Sequence, residues 1–248
     1  MRDTDMIINP GRGKGEPELP AAGMLLVNPA EAEAGLRLAK NRGGQTHFLF
    51  NSRLVLIPGN ADCGSFFIAG PAVGAPMAAL TLEKLIALGA RHIIVFGWCG
   101  ALHETVRIGD VLLPTWAISD EGTSAHYPLG FRAESPADTR QLLNDLLTAH
   151  GMVVHAGPIW TTDAPYRESV HQVNRLHGQG ILGVDMEYGA LVSVAAFRKI
   201  ALTAALLISD ELWTGTWNPG FRAKDFKKKS SGILHLLADI CAGLHAEK

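Results

Sequence analysis

The sequence predicts a single α/β domain, built on a central mixed, mostly parallel β-sheet that is flanked by helices. Short apolar runs alternate with segments of helical spacing along most of the chain, which is typical of this class. Two of the runs, His92–Phe96 and Ile200–Ile208, are apolar almost throughout, as expected for strands buried on both faces of a sheet. The sequence shows no internal repeat and no linker, which favours one domain.

The N-terminal residues 1–23 are rich in glycine, proline and charge, and they predict a loose arm that precedes a folded domain over residues 24–248. The glycines of Gly11–Gly15 allow a phosphate-binding loop as an alternative, because successive glycines can point backbone N–H groups at an anion. No Gly-Lys-Ser/Thr follows them and no strand precedes them, which favours the arm.

Three kinds of local signal predict the elements of the domain. Strands are apolar runs, helices carry apolar residues three and four positions apart, and glycine, proline or asparagine marks turns. Gly89 and Gly151 each close a helix, and Asn51-Ser52 joins two strands as a hairpin. In chain order the predicted elements are strand Met24–Val27, helix Ala30–Lys40, strands His47–Phe50, Arg53–Ile57 and Phe66–Ala69, helix Met77–Leu88, strands His92–Phe96, Asp110–Leu113 and Trp116–Ile118, helix Asp138–His150, strand Met152–Ile159, helices Pro165–Leu176 and Gly189–Arg198, strand Ile200–Ile208 and helix Ser231–His245.

Composition argues against several classes of protein. The 248 residues are 47% apolar and 19% charged, which supports a sizeable core, and the formal net charge of −2 gives no reason to expect nucleic acid as a partner. Three widely spaced cysteines fit a reducing compartment rather than a disulfide framework. We see no signal peptide and no long apolar segment, so we expect a cytoplasmic protein that does not contact a membrane.

Asp210 is a candidate general acid. It follows an apolar strand and precedes Trp213 and Trp217, surroundings in which a carboxyl group is poorly solvated and its protonated form is favoured. A proton held near neutrality suits acid catalysis. The alternative is structural, because Ser209-Asp210 also has the composition of a helix N-cap.

Glu187 is a candidate sugar-binding residue. It lies in Gly183–Leu191, between an apolar strand and a helix of small residues, where a carboxylate can accept hydrogen bonds from two adjacent ribose hydroxyls. Met186 can pack its thioether against the sugar face. Alternatively, Asp185 and Glu187 complement the positive end of the following helix dipole.

The combination resembles a known family. Gly183–Leu191 looks like the Glu-Met-Glu-Ala-Ala motif of the purine and uridine phosphorylase and nucleosidase superfamily, and Ser209-Asp210 stands at the family's spacing from it. Gly70–Pro76 followed by Ile93–Ala101 resembles the family's glycine-rich turn, helix and strand ending in Gly-Ser-Cys-Gly-Ala. Ile108–Pro114 and Trp160–Tyr166 also resemble family segments, so that the resemblance covers about residues 24–245.

The resemblance implies a nucleoside phosphorylase-like fold and cleavage of an N-glycosidic bond, with charge building on the ribose and on the departing base. Asp210 would then protonate a purine base, with Ser209 beside it, and Glu187 and Met186 would hold the ribose. Cys99 and Gly100 would line the base pocket. Arg222 lies near the place of an arginine that assists the acid, although a solvated arginine before the lysine run explains it equally well.

The residues expected to bind phosphate depart from the family pattern. Val95 and Trp98 stand where phosphorylases have an arginine and a serine, and the loop Val27–Glu33 lacks the arginine of their Gly-Asp-Pro-x-x-Arg loop. Arg42 matches a phosphate-binding arginine that the family donates across a subunit interface. Glu33 matches the glutamate by which nucleosidases activate water, or it is a plain solvated helix residue.

Base recognition also departs from the family pattern, because Pro165 stands where the family usually has an aromatic residue. We therefore expect Tyr166 or Trp98 to stack on the base. The glutamine–arginine pair that marks uracil recognition is not evident in Arg167–Arg175, which favours a purine. The ten histidines show no metal-binding motif, and we expect no metal and no cofactor, with phosphate possible as co-substrate.

The leading hypothesis is therefore a nucleoside phosphorylase or nucleosidase that acts on a purine-type nucleoside and forms a homo-oligomer. Its acceptor stays open between phosphate, which the family favours, and water, which the local residues favour. The alternative is a nucleoside-binding regulatory protein with the same fold and no turnover, which Val95 and Trp98 motivate. A nucleotide-dependent doubly wound enzyme lacks the Gly-x-Gly-x-x-Gly that would support it.

Overall fold

The computed structural model describes residues 6–49, 52–61 and 63–244. Ten strands and six α-helices follow one another in this part of the chain. In chain order they are β1 (Ala22–Leu26), α1 (Pro29–Asn41), β2 (Gln45–Leu49), β3 (Ser52–Ile57), β4 (Phe66–Gly70), α2 (Ala75–Leu88), β5 (His92–Ala101), β6 (Val111–Asp120), α3 (Ala137–Ala149), β7 (Val154–Thr162), α4 (Val170–His177), β8 (Gly183–Asp185), α5 (Tyr188–Arg198), β9 (Ala201–Glu211), β10 (Asn218–Pro219) and α6 (Lys224–Gly243).

The strands form one mixed sheet in the order β10-β9-β6-β7-β8-β5-β1-β4-β3-β2, and an additional pairing of β9 with β5 closes part of it into a ring. The longest ladders, β5 with β9 and β6 with β7, are parallel, whereas β2, β3 and β4 pair antiparallel. The prediction of one α/β domain on a mixed sheet with helices around it is confirmed.

Helices cover both faces of the sheet. Helices α2 and α5 pack together over one apolar cluster, and α1, α3 and α6 cover a second cluster on the other face. The central strands are buried along most of their length because side chains on both of their faces meet helices. No helix in the described ranges is long and apolar enough to cross a membrane.

Several predicted boundaries were wrong, and two of them affect the site. Strands β5 and β9 continue past the predicted ends at Phe96 and Ile208, to Ala101 and Glu211, so the candidate site residues at these ends lie within strands. The predicted break at Pro114 is a register shift inside one strand, β6, because proline lacks the N–H that the ladder needs there.

The helix predicted over Pro165–Leu176 is divided. A 3₁₀ turn at Pro165–Arg167 precedes α4, and the hydroxyl of Ser169 caps α4 by accepting a hydrogen bond of 3.2 Å from the backbone N–H of Gln172.

Helix α6 begins at Lys224, seven residues before the predicted start at Ser231. Its first turns are mostly charged and exposed, but Phe226 and Ser230, four residues apart, both turn inward. The predicted end at His245 lies outside the described residues, as does the hairpin turn at Phe50 and Asn51.

Residues 6–21 form no helix or strand but contact α2. The Lys84 ammonium donates to the Glu16 carboxylate at 2.6 Å and to the Gly11 carbonyl at 2.7 Å, and the Leu19 backbone N–H donates to the Leu88 carbonyl at 2.8 Å. Residues 1–5 lie outside the described part, and the division into an arm and a domain stays a prediction.

Candidate active site

The ends of β5 and β9 bring Gly100 and Asp210 together. The parallel ladder pairs Cys99 with Ile208 and then Gly100 with Asp210, so the register shifts by one residue between them. A Cβ atom on Gly100 would lie 3.2 Å from Asp210 Oδ2 and 2.5 Å from Leu212 Cδ1. Glycine is therefore required here by the close approach of the acid and its strand.

Two donors hold the half-buried Asp210 carboxyl group. The Ser209 hydroxyl donates to Oδ1 at 2.5 Å, and the Trp217 indole N–H donates to Oδ2 at 2.9 Å. Asp210 lies within β9 and no helix begins beside it, so the N-cap interpretation was wrong. The Ser209 hydroxyl also lies 3.2 Å from the carbonyl of Cys99, which ties β9 to β5 at this point.

Asp185 and Glu187 have different partners at the turn from β8 to α5. Asp185 caps the helix, since its carboxylate accepts from the backbone N–H of Tyr188 at 2.6 Å and of Glu187 at 3.2 Å, and from the Thr161 hydroxyl at 2.6 Å. Glu187 instead points toward α2, where its Oε1 accepts from the Gly74 N–H at 2.7 Å. The dipole interpretation therefore applies to Asp185, whereas Glu187 is buried and places one oxygen at the N-terminus of α2.

Burial changes the ionisation of these groups. Burial, and then the charge of Asp185, raise the pKa of Glu187 above its usual range. Burial also raises the pKa of Asp185, although its three hydrogen bonds oppose the effect. Half-buried Met186 lies between the two carboxyl groups in the chain.

Cys99 is fully buried, and its burial raises the pKa of the thiol far above the usual range. A buried thiol held in its neutral form is a poor nucleophile, and Cys99 packs in the apolar cluster under α2 and α5.

Glu168 belongs to the same neighbourhood, and the sequence analysis missed it. Burial, and then the charge of Asp210, raise the pKa of Glu168 to about 7. The residue lies in the two-residue link between the 3₁₀ turn and α4, which was predicted as continuous helix. Tyr166, in the 3₁₀ turn itself, is fully exposed and stacks on nothing described here.

Trp98 lies in an aromatic cluster on the α6 face. Its ring stacks on Phe221 with centroids 5.8 Å apart and meets the edge of Phe226 at 5.2 Å. Trp217, which donates to Asp210, contacts the same Phe221 at 6.3 Å. The expectation that Trp98 stacks on a base therefore finds no support, because its ring already has aromatic partners within the chain.

Arg222 does not assist the acid in this structure. Its side chain is exposed, with the guanidinium carbon 5.9 Å from the centroid of the Phe221 ring, and the donor that reaches Asp210 is Trp217. The indole N–H thus takes the place at the carboxylate that the resemblance assigned to a guanidinium.

The start of α1, just after β1, carries an inward-facing glutamate, but it is Glu31 rather than Glu33. The Glu33 side chain is 72% exposed and forms an ion pair with Arg37 on the outer face of α1. Glu31 is only 5% exposed, and its Oε1 accepts from the Ser230 hydroxyl at 2.8 Å. Burial raises the pKa of the Glu31 carboxyl group above its usual range.

A donor and an acceptor without partners lie on this side of the sheet. Glu31 Oε2 and the indole Nε1 of Trp98 are both buried, and neither has a hydrogen-bond partner among the described residues. The Trp98 indole nevertheless lies near enough to contribute to lowering the pKa of Glu31.

Arg42 is engaged elsewhere. It ends α1, and its guanidinium forms an ion pair of 2.8 Å with Asp239 of α6 in the same chain. Within one subunit the structure therefore groups Asp210, Ser209, Gly100 and Cys99 at the ends of β5 and β9, while Glu33, Arg42, Arg222 and Tyr166 face away from them or are fully exposed.

A large cavity lies elsewhere in the described part of the chain. It has a volume of about 1210 Å³ and is lined by residues of the N-terminal segment, α2, the loop after β6 and the end of α5, among them Leu80, Glu83, Tyr127 and Arg198. Neither Asp210 nor Glu187 lines it, so we place the candidate active site by the convergence of side chains rather than by volume.

Comparison with known proteins finds one family along most of the chain. The model of the phosphorylase superfamily matches residues 23–238. The DeoD-type purine nucleoside phosphorylases of Bacillus thuringiensis (strain Al Hakam) and Bacillus cereus (strain AH187) are each 32% identical over 152 residues. That match covers 60% of this chain and 64% of each relative, so it spans just under two thirds of the relatives' length.

Two solved structures have the same fold. The purine nucleoside phosphorylase of Toxoplasma gondii in complex with immucillin-H has a TM-score of 0.79 at 20% identity over 92% of each chain. The uridine phosphorylase of Vibrio fischeri ES114 has a TM-score of 0.75 at 21% identity over 91% of each chain. At this identity the likeness concerns the fold alone.

Proposed function

Because the chain belongs to the phosphorylase superfamily, we propose that it is an enzyme that cleaves the N-glycosidic bond of a purine-type nucleoside at the junction of β5, β8 and β9. One observation carries this proposal: Gly100 lies between the strand of the acid and the strand of the sugar-binding residue. Its missing Cβ would be 3.2 Å from Asp210 Oδ2 and equally 3.2 Å from Val184 Cγ1, three residues before Glu187.

The two carboxyl groups would serve opposite ends of the bond. As the bond from the sugar carbon to the base nitrogen breaks, its electron pair passes to the base, and Asp210 delivers a proton to the base or stabilises it by a hydrogen bond. Glu187 accepts hydrogen bonds from the ribose hydroxyls, and Met186 packs against the sugar.

Glu168 supports the assignment of the acid. Burial first, and then the charge of Asp210, raise the pKa of Glu168 to about 7. A carboxyl group that retains its proton near neutrality is a suitable proton source for a leaving base. We therefore assign Glu168 a role in holding that proton.

Water is the acceptor that the local chemistry favours. A phosphate dianion needs cationic donors, whereas Val95 is apolar, Trp98 is packed among aromatic rings and Arg42 is paired with Asp239. The buried Glu31 carboxyl group would repel a dianion whenever it is ionised. In this version Glu31, the inward-facing glutamate of α1, accepts the proton of the attacking water molecule.

Phosphate remains the second candidate acceptor, because the Bacillus relatives are named as phosphorylases. We also propose a homo-oligomer. It bears on the acceptor because Arg42 could bind phosphate only in the active site of a neighbouring subunit.

The test follows base release from inosine, adenosine and uridine by liquid chromatography, with protein freed of phosphate and then with phosphate added. The water version predicts purine base and free ribose at the same rate in both conditions. Base release that requires phosphate, with ribose 1-phosphate as the product, would exclude it. A saturable thermal shift with nucleoside but no base release would instead identify a binding protein without turnover.

A matched pair of variants separates the roles of the two glutamates. Glu31→Gln should reduce hydrolysis by about 100-fold or more, the usual magnitude for losing a general base. Glu33→Gln changes the same residue type two positions away on the exposed face and should leave the rate unchanged. Equal effects of the two substitutions would contradict the role of Glu31.

A further inference from the structure

A cluster of metal-ligating side chains lies outside the candidate active site. His103 and Glu104 follow β5, and His177 is the last residue of α4. One potential ligand atom from each of the three lies within 4.8 Å of the others, and no other such group of three histidine, cysteine or acidic residues occurs in the described ranges. The sequence analysis missed it because His103 and His177 are far apart in the chain and follow no metal-binding spacing.

The distances suit a transition metal. His177 Nε2 lies 2.5 Å from Glu104 Oε2, and His103 Nδ1 lies 3.7 Å from the same oxygen. Zinc bonds of about 2.0–2.2 Å in a tetrahedral site place neighbouring ligand atoms about 3.3 Å apart. The observed separations lie on either side of that value, so shifts of less than about 1 Å would bring the ligands into place.

The two imidazole rings are already arranged side by side. Their centroids are 4.6 Å apart and their planes differ by 14°, so both rings present nitrogen atoms to the same carboxylate. The Thr105 hydroxyl lies 2.9 Å and the Thr105 backbone N–H 3.3 Å from His103 Nδ1, the same nitrogen that faces Glu104, so an ion bound at Nδ1 replaces these two contacts.

We propose that His103, Glu104 and His177 bind one divalent transition metal ion, with Zn²⁺ as the best match, and that solvent fills the fourth position. Imidazole with one carboxylate is a donor set that suits zinc and disfavours magnesium or calcium, which take oxygen ligands. The cluster is partly exposed, with side-chain exposures of 23% for His103, 50% for Glu104 and 37% for His177, so an ion reaches it from solvent.

A metal ion at this position would link two separate elements of the fold. It would join the loop after β5 to the last turn of α4, and α4 begins directly after the segment that carries Glu168. Bound metal would thus connect two elements that border the candidate active site. This inference does not depend on the proposed reaction.

Isothermal titration calorimetry tests the site on the full chain with ZnCl₂. The protein is first treated with EDTA and dialysed, and Cys63→Ser serves as the background because Cys63 is an exposed thiol. We expect one Zn²⁺ per chain. Replacing one ligand by His177→Ala or by the isosteric Glu104→Gln should weaken binding by at least the roughly 10- to 100-fold that loss of an outer partner causes.

His150→Ala is the matched control, because His150 is an exposed histidine at a helix end whose Nδ1 contacts only the Leu146 carbonyl of its own helix. It should bind Zn²⁺ as the background protein does. Visible absorption of the Co²⁺-loaded protein gives a second reading, since tetrahedral coordination produces intense bands that His177→Ala should remove. No binding, or binding that is the same in His177→Ala and Glu104→Gln as in the background, would overturn the proposal.

Discussion

Asp210→Asn is the sharpest perturbation of the candidate active site, because it removes the proton and keeps the shape. The asparagine carbonyl can accept from the Trp217 indole, and its amide can donate to the Ser209 hydroxyl, so both hydrogen bonds of the wild type persist. Asparagine has nearly the same volume, and the space beside Gly100 is unchanged. We therefore expect a change in unfolding free energy below about 1 kcal/mol.

The expected loss lies in catalysis. General acid catalysis contributes about 10²- to 10⁴-fold, so kcat for base release should fall by that factor, which corresponds to about 2.7–5.5 kcal/mol of barrier. KM should change little, because in our proposal the sugar is held by Glu187 at the turn from β8 to α5. The assay is the initial rate of purine release at pH 7, with the thermal midpoint measured on the same samples.

The control is Glu211→Gln, the next carboxyl group on β9. Its Oε1 accepts from the Ile108 backbone N–H at 3.2 Å and its Oε2 from the Asn218 amide at 3.2 Å, which makes it a structural residue in our account. It should retain most of the wild-type kcat. If Asp210→Asn kept kcat within threefold of wild type while folded, the assignment of the acid would be refuted.

Three other substitutions test the surroundings of the acid. Gly100→Ala places a Cβ atom 2.5 Å from Leu212 Cδ1, so unfolding should become easier by about 1–3 kcal/mol in urea titrations, whereas Gly122→Ala, with nothing within 4 Å, should be neutral. Trp217→Phe removes the indole donor that holds Asp210 Oδ2, and a loss of about 1–1.5 kcal/mol from one hydrogen bond predicts a fall in kcat of about 5- to 10-fold by the same rate assay. Glu187→Gln tests ionisation. The folded-state pKa of Glu187 lies above its ordinary value of 4.5, so the wild type loses stability as pH rises from that value through the raised one. The glutamine side chain does not titrate, so the free energy of unfolding of the variant relative to wild type, measured in urea, should be higher at pH 8 than at pH 5. The same relative stability at both pH values would contradict a raised pKa of Glu187.

The local sequence pattern was sufficient to predict the central strands and the residues near their carboxyl ends. Apolar runs predicted the central strands, and polar residues directly after such runs predicted that Asp210 and Glu187 lie at strand ends. These predictions succeeded because the carboxyl end of a strand is defined by the chain itself.

Partners that come from distant segments could not be predicted in the same way. Trp217 reaches Asp210 because β10 turns back onto β9, and Glu168 comes near enough to feel the charge of Asp210 because a 3₁₀ turn interrupts the predicted helix. Each contact depends on a loop path, and no periodicity in the sequence encodes a loop path. The His103–His177 stack is the same case across 74 positions of sequence.

Hydrophobic periodicity alone does not indicate whether Glu31 or Glu33 is buried, but a nearby glycine does. At 3.6 residues per turn the two glutamates lie about 100° to either side of Ala32, the first apolar residue of the inward stripe of α1, so hydrophobic spacing favours neither. Gly35 breaks the symmetry, since it lies on the side of Glu31. A Cβ atom there would be 3.5 Å from Leu234 Cδ1 of α6 and 2.3 Å from Leu26 Cδ1 of β1, so the glycine lets α6 and the sheet close over that side of α1. The same close packing buries Glu31 against the Ser230 hydroxyl of α6 and leaves Glu33 exposed to solvent. Gly35, inside helix α1, is thus the sequence feature that identifies Glu31 as the buried carboxyl group. Our preference for water over phosphate as the acceptor depends on the burial of Glu31.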